Sequence, residues 1–502
     1  MKKITLLGAF MFPVMLLAAQ KSKPNIIFIL ADDMGYGDVS AFDSNSKFKT
    51  TNLDDMASCG MRFTDAHTTS SVSTPTRYGV VTGRYNWRSP LQEGVLVGDS
   101  APLIEKDRMT VATMLGEQGY STAAIGKWHL GMDWYRNSEK RGDVDLTAKG
   151  VITSPNDNGF EYSYVIPASL DFSPYVYIEN HNFATPINGY IEKQTGLGFY
   201  RNGPIAEDFD IGGTLEHLTD KSVEYIKEKS KEDKPFFLYF PMTAPHTPIL
   251  PPAEFQGKSG ATPYGDFVLY VDSMVGRVRE AVKEAGIEEN TIIIFTTDNG
   301  CSPEANIVDI EATGHYPNSI YRGRKRDIFE GGHRVPYIVE WKGEVEAGST
   351  AEAPITLATL MATCADITDY NLPSNAAEDS FSILPMLQGK KGDMDRPIIH
   401  HSCDGYFALR VGDWKLCACP HSGSKSGKPT IQVAQKENYL DMQLYNLKDD
   451  PSEKINLYEK YPKRVAKMYK QLEEMVFSGA TRSGAVGEND VEVVIRKDLS
   501  QK

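Results

Sequence analysis

Residues 26–30 and 292–296 are short apolar runs, and each delivers the chain almost at once into oxygen-bearing side chains: Asp32-Asp33 after the first, Asp298-Asn299 after the second. A run of that length without polar alternation reads as a strand buried on both faces, and burying both faces takes helices above and below a sheet. The pattern recurs at residues 122–125, 236–240 and 337–341. Between these runs, Val111, Met114 and Leu115 have helical spacing before Gly119. Phe267, Val271, Met274, Val275, Val278 and Val282 mark one stripe of a long helix ending at Gly286. Strands alternating with helices predict an α/β fold, a large doubly wound mixed sheet flanked by helices, over residues 20–375. After about Asn375 the runs shorten to residues 397–401, 406–411, 414–417 and 442–447. A last amphipathic helix follows Pro462, with Val465, Met468, Leu472 and Val476 on one side. Residues 376–502 therefore read as a smaller C-terminal α+β subdomain of antiparallel strands and one helix, with a loose polar tail beyond Ser478.

Charge narrows the partners. The 502 residues carry 53 Lys+Arg against 67 Asp+Glu, a net charge of -14. A chain this acidic is no general binder of nucleic acid or anionic membranes, although a local cationic pocket can still take an anionic substrate. Met1-Lys2-Lys3, the apolar stretch 4–17 and Ala18-Ala19 have the make-up of a cleaved export signal over residues 1–19. That stretch falls short of the ~20 residues of a membrane-spanning helix, and no cysteine precedes Cys59 to carry a lipid anchor. The expectation is a periplasmic or secreted protein with no membrane span. The six cysteines are too scattered for a disulfide framework, and the one close pair, Cys417 and Cys419, has no second pair to complete a zinc site.

Ligands of open α/β sheets collect beyond the carboxyl ends of the strands. If the two acid-tipped strands are near neighbours, Asp32, Asp33, Asp298 and Asn299 converge there, and an all-oxygen set of that kind suits Ca²⁺ or Mg²⁺ better than Zn²⁺. Taken singly, each doublet reads more readily as a helix or turn cap. Ser73-Thr74-Pro75-Thr76-Arg77 places Ser73 near a helix N-terminus, since Pro75 suits a first turn, and Arg77 lies one turn on. Lys127 and His129, in Gly126-Lys127-Trp128-His129-Leu130-Gly131, project to one side if the chain stays extended. His246 follows another strand in Ala244-Pro245-His246, and Lys325 lies in a basic run ahead of Glu330-Gly331-Gly332. Each is weak individually.

Together, and in this order, the blocks resemble the sulfatase family of the alkaline phosphatase superfamily over nearly the whole chain. Ser73-x-Pro75-x-Arg77 with Thr82-Gly83-Arg84 resembles the signature in which a Cys or Ser becomes formylglycine; here it is the serine type, with Thr76 where a Ser is common. Leu444-Tyr445-Asn446-Leu447, Asp449-Asp450-Pro451 and Glu453 resemble the family's C-terminal subdomain. The resemblance implies a hydrolase of sulfate esters with an alkaline phosphatase-like sheet. One Ca²⁺ would be held by Asp32, Asp33, Asp298 and Asn299 together with residue 73. Ser73, oxidised to formylglycine by a maturase and hydrated, would attack sulfur with the help of Asp298. His246 and Lys325 would protonate the leaving sugar oxygen, and His129 would take the proton that lets sulfate go. Arg77, Lys127 and Lys325 would surround the sulfate with fixed positive charge.

The resemblance further implies a sulfated carbohydrate substrate. Residues 167–172 with Tyr175 and Tyr177 resemble sulfatases of galactose and N-acetylgalactosamine sulfates, which points to exo-acting removal of 6-O-sulfate from glycosaminoglycan or mucin glycans. Asp171, His181, His400 and His401 are candidate contacts to sugar hydroxyls. The nearest rivals are a phosphatase or phosphonate hydrolase of the same superfamily, and a non-catalytic sulfated-glycan binding protein should Ser73 stay unmodified.

Overall fold

In the computed structural model, which describes residues 23–425 and 440–497, the two acid-tipped strands are hydrogen-bonded neighbours. The expected export signal lies outside the described residues. Strand β1 (Asn25–Ala31) pairs in parallel with a strand over Thr291–Thr297, with Ala31 opposite Thr297, so Asp32 and Asp298 leave the sheet side by side. On its other edge β1 pairs with a strand over Phe236–Pro241, Leu30 opposite Pro241, which brings the Ala244-Pro245-His246 turn to the same end.

The other strands of the large sheet are β2 (Met61–His67), β3 (Ser121–Lys127) and β4 (Tyr162–Ile166). With Phe236–Pro241 as β5, Thr291–Thr297 as β6, Arg334–Trp341 as β7 and Ser349–Ala351 as β8, the sheet runs β8-β2-β7-β6-β1-β5-β3-β4, and two short strands extend it past β4. The central strands β6, β1, β5, β3 and β4 are parallel, whereas β7 is antiparallel to both β6 and β2. β7 therefore begins where its parallel neighbours end, so residues 325–333 reach the same edge from the opposite direction. This is the mixed, helix-flanked α/β sheet that the alternation predicts. Strands β1, β3, β5 and β6 are buried along their whole length, as runs without polar alternation require.

Helix α1 (Ser73–Thr82) is buried along its whole length, and Gly83 ends it at φ 65, donating its backbone N–H to the carbonyl of Gly79. Helix α2 (Pro263–Glu284) buries Phe267, Val271, Met274, Val275, Val278 and Val282, the stripe read from the sequence.

A separate four-stranded antiparallel sheet is formed by β9 (Ile398–His401), β10 (Phe407–Val411), β11 (Trp414–Cys417) and β12 (Gln443–Asn446). Helix α3 (Pro462–Phe477) lays Val465, Met468, Leu472 and Val476 against it, in a core shared with Ile399, Leu409 and Leu416. The expectation of a loose tail beyond Ser478 is corrected over residues 479–490. Thr481 and Val486 donate backbone N–H groups to the carbonyls of Glu378 and Ser374, Asp490 donates to the carbonyl of Arg88, and its carboxylate lies 2.9 Å from Arg84. A stretch that reads as polar and structureless is thus tied down by backbone hydrogen bonds and two arginines, neither of which shows as apolar periodicity. All six cysteines are free thiols, Cys417 and Cys419 both buried.

Candidate active site

Ser73 is the first residue of α1 and 2% exposed. Its hydroxyl donates to Asp298 Oδ2 at 2.6 Å and reaches Asp32 Oδ1 at 3.2 Å. Lys127 Nζ, at the end of β3, is 3.2 Å from the same hydroxyl and 2.7 Å from Asp32 Oδ2. Arg77, one turn along α1, donates to Asp298 Oδ2 at 2.8 Å, lies 3.4 Å from Asp32, and is steadied by a hydrogen bond to the carbonyl of Lys127. On the far side of the carboxylates, Lys325 Nζ is 2.7 Å from Asp33 Oδ2 and Asn299 Nδ2 is 2.7 Å from Asp33 Oδ1. His246 Nε2 stands 3.6 Å from Asp33 Oδ2, and its Nδ1 faces the carbonyl of Thr247. All the side chains that the sequence assigns to chemistry or metal thus gather at the strand ends, with His129 beside them.

The backbone that aims them is not ordinary. Asp33 sits at φ 66 and His129 at φ 57, the left-handed region that non-glycine residues seldom adopt and that clusters at functional sites. The expectation that Lys127 and His129 project together from an extended chain is corrected, because the chain turns at His129. The His129 ring sends Nε2 to the carbonyl of Leu96 at 2.8 Å and leaves Nδ1 buried without a partner. Gly300 is required by a close approach: a Cβ there would lie 1.9 Å from the carbonyl oxygen of Gly331. Only a residue without Cβ lets the Asp298-Asn299 turn touch the Glu330-Gly331-Gly332 segment.

Electrostatics follow from this crowding. Burial alone would push the Asp32 carboxyl up, yet Lys127, His246 and Arg77 outweigh it and hold it at about 2. Asp33 is likewise held low against burial, chiefly by Lys325 and His246. The lysines part company: burial wins at Lys127 and lowers it, whereas Asp33 and Asp32 win at Lys325 and raise it. Burial, then Lys127 and Arg77, drive His129 well below its ordinary value, so its ring is neutral and Nδ1 is a bare acceptor. Oxygens of Asp32 and Asp33 lie within 4.8 Å of each other and of a His246 ring nitrogen. With Asp298, whose Oδ1 accepts from the Asp33 backbone N–H at 3.1 Å, and the buried, unpartnered Oδ1 of Asn299, they make a donor set that a hard divalent cation fits.

Residues 24–370 match the sulfatase family profile. The chain belongs to the sulfatase family. It is 32% identical to an N-acetylgalactosamine-6-O-sulfatase of Bacteroides thetaiotaomicron over 90% of this chain and 93% of that one, and 31% identical to human arylsulfatase A over 86% and 83%. A solved bacterial sulfatase structure, from work on glycosaminoglycan metabolism by Bacteroides thetaiotaomicron, superposes with a TM-score of 0.78 at 30% identity over 91% of this chain and 99% of that one. This sulfatase is therefore a hydrolase of sulfate esters.

The four residues considered for sugar contact fare differently. His400 and His401 lie on β9 and are buried, His401 against the hydroxyl of Ser70, so neither meets solvent and their assignment to sugar hydroxyls is corrected. A doublet of histidines in a β-like run shows no alternation that would betray burial on both faces. His181 pairs with Asp157 on the surface. Asp171 is bound by Arg201, whose guanidinium covers the Phe172 ring at 4.1 Å, and Phe172 stands 6.3 Å from the His129 ring; Asp171 Oδ1 has no partner. The motifs do not single out Asp38, His315 and Tyr264. Asp38 accepts from His315 Nε2 at 2.8 Å and from Tyr264, whose hydroxyl also reaches the Asp33 carbonyl at 3.2 Å. Tyr264 and His315, from two distant segments, together with Asp38 five residues on, brace the strained Asp33, and no local spacing signals such a brace.

Proposed function

We propose that this sulfatase is exported and removes 6-O-sulfate from galactose or N-acetylgalactosamine at the ends of glycosaminoglycan or mucin-type glycans, using one Ca²⁺ and a formylglycine made from Ser73 by a maturase. The observation that carries this reading is the position of the Ser73 hydroxyl within 3.2 Å of Asp32, Lys127 and Asp298 together. The sugar and the sulfate position rest on the named activity of the 32%-identical relative. Among the described residues no helix is long and apolar enough to cross a membrane, which is compatible with export.

Asp32, Asp33, Asp298 and Asn299 would hold the calcium, which supplies Lewis-acid polarisation of a sulfate oxygen and offsets their crowded negative charge. Formylglycine supplies, once hydrated, a better nucleophile than serine and a second hydroxyl whose deprotonation releases sulfate. The chain's own groups do the rest. Asp298, 2.6 Å from the residue-73 oxygen, accepts a proton there. Arg77 and Lys127 bracket that oxygen with positive charge that needs no reorganisation. His246 Nε2 and Lys325 Nζ, both on the Asp33 side and only partly sealed, deliver a proton to the leaving sugar oxygen. His129 Nδ1, neutral and unpartnered, takes the later one.

The deciding experiment offers enzyme co-produced with a maturase a panel of 6-O-, 4-O- and 3-O-sulfated galactose and N-acetylgalactosamine, with an aryl sulfate and an aryl phosphate alongside. The expected result is release of sulfate from the 6-O-sulfated sugars and a peptide carrying residue 73 that is two hydrogens lighter than serine. Preference for another sulfate position overturns the substrate, and turnover by an unmodified Ser73 overturns the chemistry.

A further inference from the structure

The chain has a net charge of -14, yet one surface cavity has the opposite sign. It measures about 1080 Å³ and opens where segments 43–49, 314–322 and 452–454 meet, on the seam between the large and small sheets. Its lining contributes four cations, Lys47, Lys49, Arg322 and Lys454, against a single carboxylate, Asp43. Lys47, Lys49 and Lys454 are exposed, and none of them pairs with a carboxylate among the described residues.

Local structure fixes this display. Phe48 is buried and stacks on the His315 ring at 3.7 Å, so its two neighbours, Lys47 and Lys49, are turned outward together. Ser452 donates its hydroxyl to the carbonyl of Ile320 at 2.8 Å, and Asp450 accepts the backbone N–H groups of Lys454 and Ile455. The turn bearing Lys454 is thereby clamped against the 314–322 loop. Tyr316 and Ile320, 55% and 59% exposed, leave flat apolar surface between the charges.

We propose that this cavity is a second glycan site, which holds an internal stretch of an anionic polysaccharide through its sulfate or carboxylate groups while the chain end is processed at Ser73. The ligand class follows from the lining. Spaced ammonium groups match charges repeated along a polymer, Tyr316 offers a face to sugar C–H groups, and Ser44 and Asn45 offer hydrogen bonds to hydroxyls. A compact phosphate would leave most of so large a cavity empty. Tethering by such a site raises the local concentration of chain ends without altering the chemistry. The inference rests on the reading of a sulfated carbohydrate substrate.

The test uses the full enzyme and the double variant Lys47→Glu, Lys454→Glu, neither residue being part of the catalytic cluster. The substrates are a chondroitin sulfate chain with 6-O-sulfated termini and the 6-O-sulfated monosaccharide. The expected result is a rise in KM of at least about threefold for the polymer, lessened by added salt, with the monosaccharide unaffected. Equal KM for both proteins on the polymer overturns the site, and so does an equal loss on both substrates, which would place the damage at the catalytic cluster. Should the unaltered enzyme desulfate neither sugar, the substrate reading fails while this site is still tested by direct retention on immobilised chondroitin sulfate. There the double variant must bind more weakly than its parent, and equal retention overturns the proposal.

Discussion

At the ends of the parallel strands, Lys127 and Lys325 stand 2.7 Å from Asp32 and Asp33; at the seam between the sheets, Lys415 stands 3.0 Å from Glu330 and 2.8 Å from Glu453. Both clusters are buried, rich in histidine and full of paired charge. In the second, His333 contacts Lys415 at 3.1 Å and His67 at 3.0 Å, His67 contacts Asp65 at 2.6 Å, and Asp65 is gripped by Arg410 at 2.7 Å. That relay joins β2, the start of β7 and the small sheet, and its histidines, Glu330, Lys415 and Glu453 are wholly sealed. The first cluster has His246 and Lys325 at 8% and 7% exposure, and its unpartnered Asn299 and His129 atoms lie beside them. Buried charge alone therefore does not mark chemistry. Unsatisfied atoms within reach of a substrate do, and the seam cluster lacks that reach.

The comparison is broken hardest by Ser73→Ala. Turnover by matured enzyme should fall by more than about 10⁴-fold, as when a nucleophile is removed, with the melting temperature held within a few degrees. Retained turnover would remove residue 73 from the chemistry. Lys415→Ala should do the reverse. It takes from buried Glu453 the cation 2.8 Å away, leaves Glu330 with Arg334 alone at 3.2 Å, and should cost about 3–5 kcal/mol in urea unfolding, while kcat of the protein that remains folded stays near that of the parent. A selective loss of kcat would make the seam part of the active site.

The third test is pH. Burial holds His67, His333 and His400 below the 6.5 of a free imidazole and His401 at about 3. Between those values these histidines bind more protons in the unfolded chain than in the native one, so their contribution to stability is complete above about pH 6.5 and declines as pH falls toward 3. Asp32, held at about 2 from an ordinary 3.8, adds a loss only as pH falls from 3.8 to about 2. Burial raises the Glu453 carboxyl to about 7, so that single group gains a proton and opposes the slope over the same interval, but four histidines outnumber it. Melting temperature should therefore begin to drop between pH 6.5 and 5; a flat profile there would contradict the buried neutral histidines. The smallest effect is expected from His400→Phe. Both ring nitrogens of His400 lack partners and its ring stacks on His333 at 3.9 Å, so a ring of similar shape should leave stability within about 1 kcal/mol or raise it and flatten the acid slope. A loss of several times that would mean the nitrogens are bound.

The fold and the acidic corner of the candidate site were legible for the same reason, whereas the roles of Ser73, Lys127, His129, His246 and Lys325 came only with the family resemblance. Runs such as 26–30 and 292–296 declare a strand buried on both faces, and the parallel register of Ala31 with Thr297 then forces Asp32 and Asp298 together. What stayed hidden depends on contacts across long sequence separations. The left-handed turn at His129, the Asp38–Tyr264 brace on Asp33 and the sealing of His400 have no local spacing to announce them. The tail at 479–490 misled because polar composition resembles looseness, whereas Arg84 and Arg88 supply its anchor.

One consequence concerns timing. The Ser73 side chain is closed in by α1, β1 and β6, and a folded chain offers no modifying enzyme a way to grasp the segment around it. If Ser73 is converted to formylglycine as proposed, the oxidation has to be finished while the polypeptide is still extended. A batch that folds as plain serine would then stay inert for its lifetime, however much maturase is added afterwards.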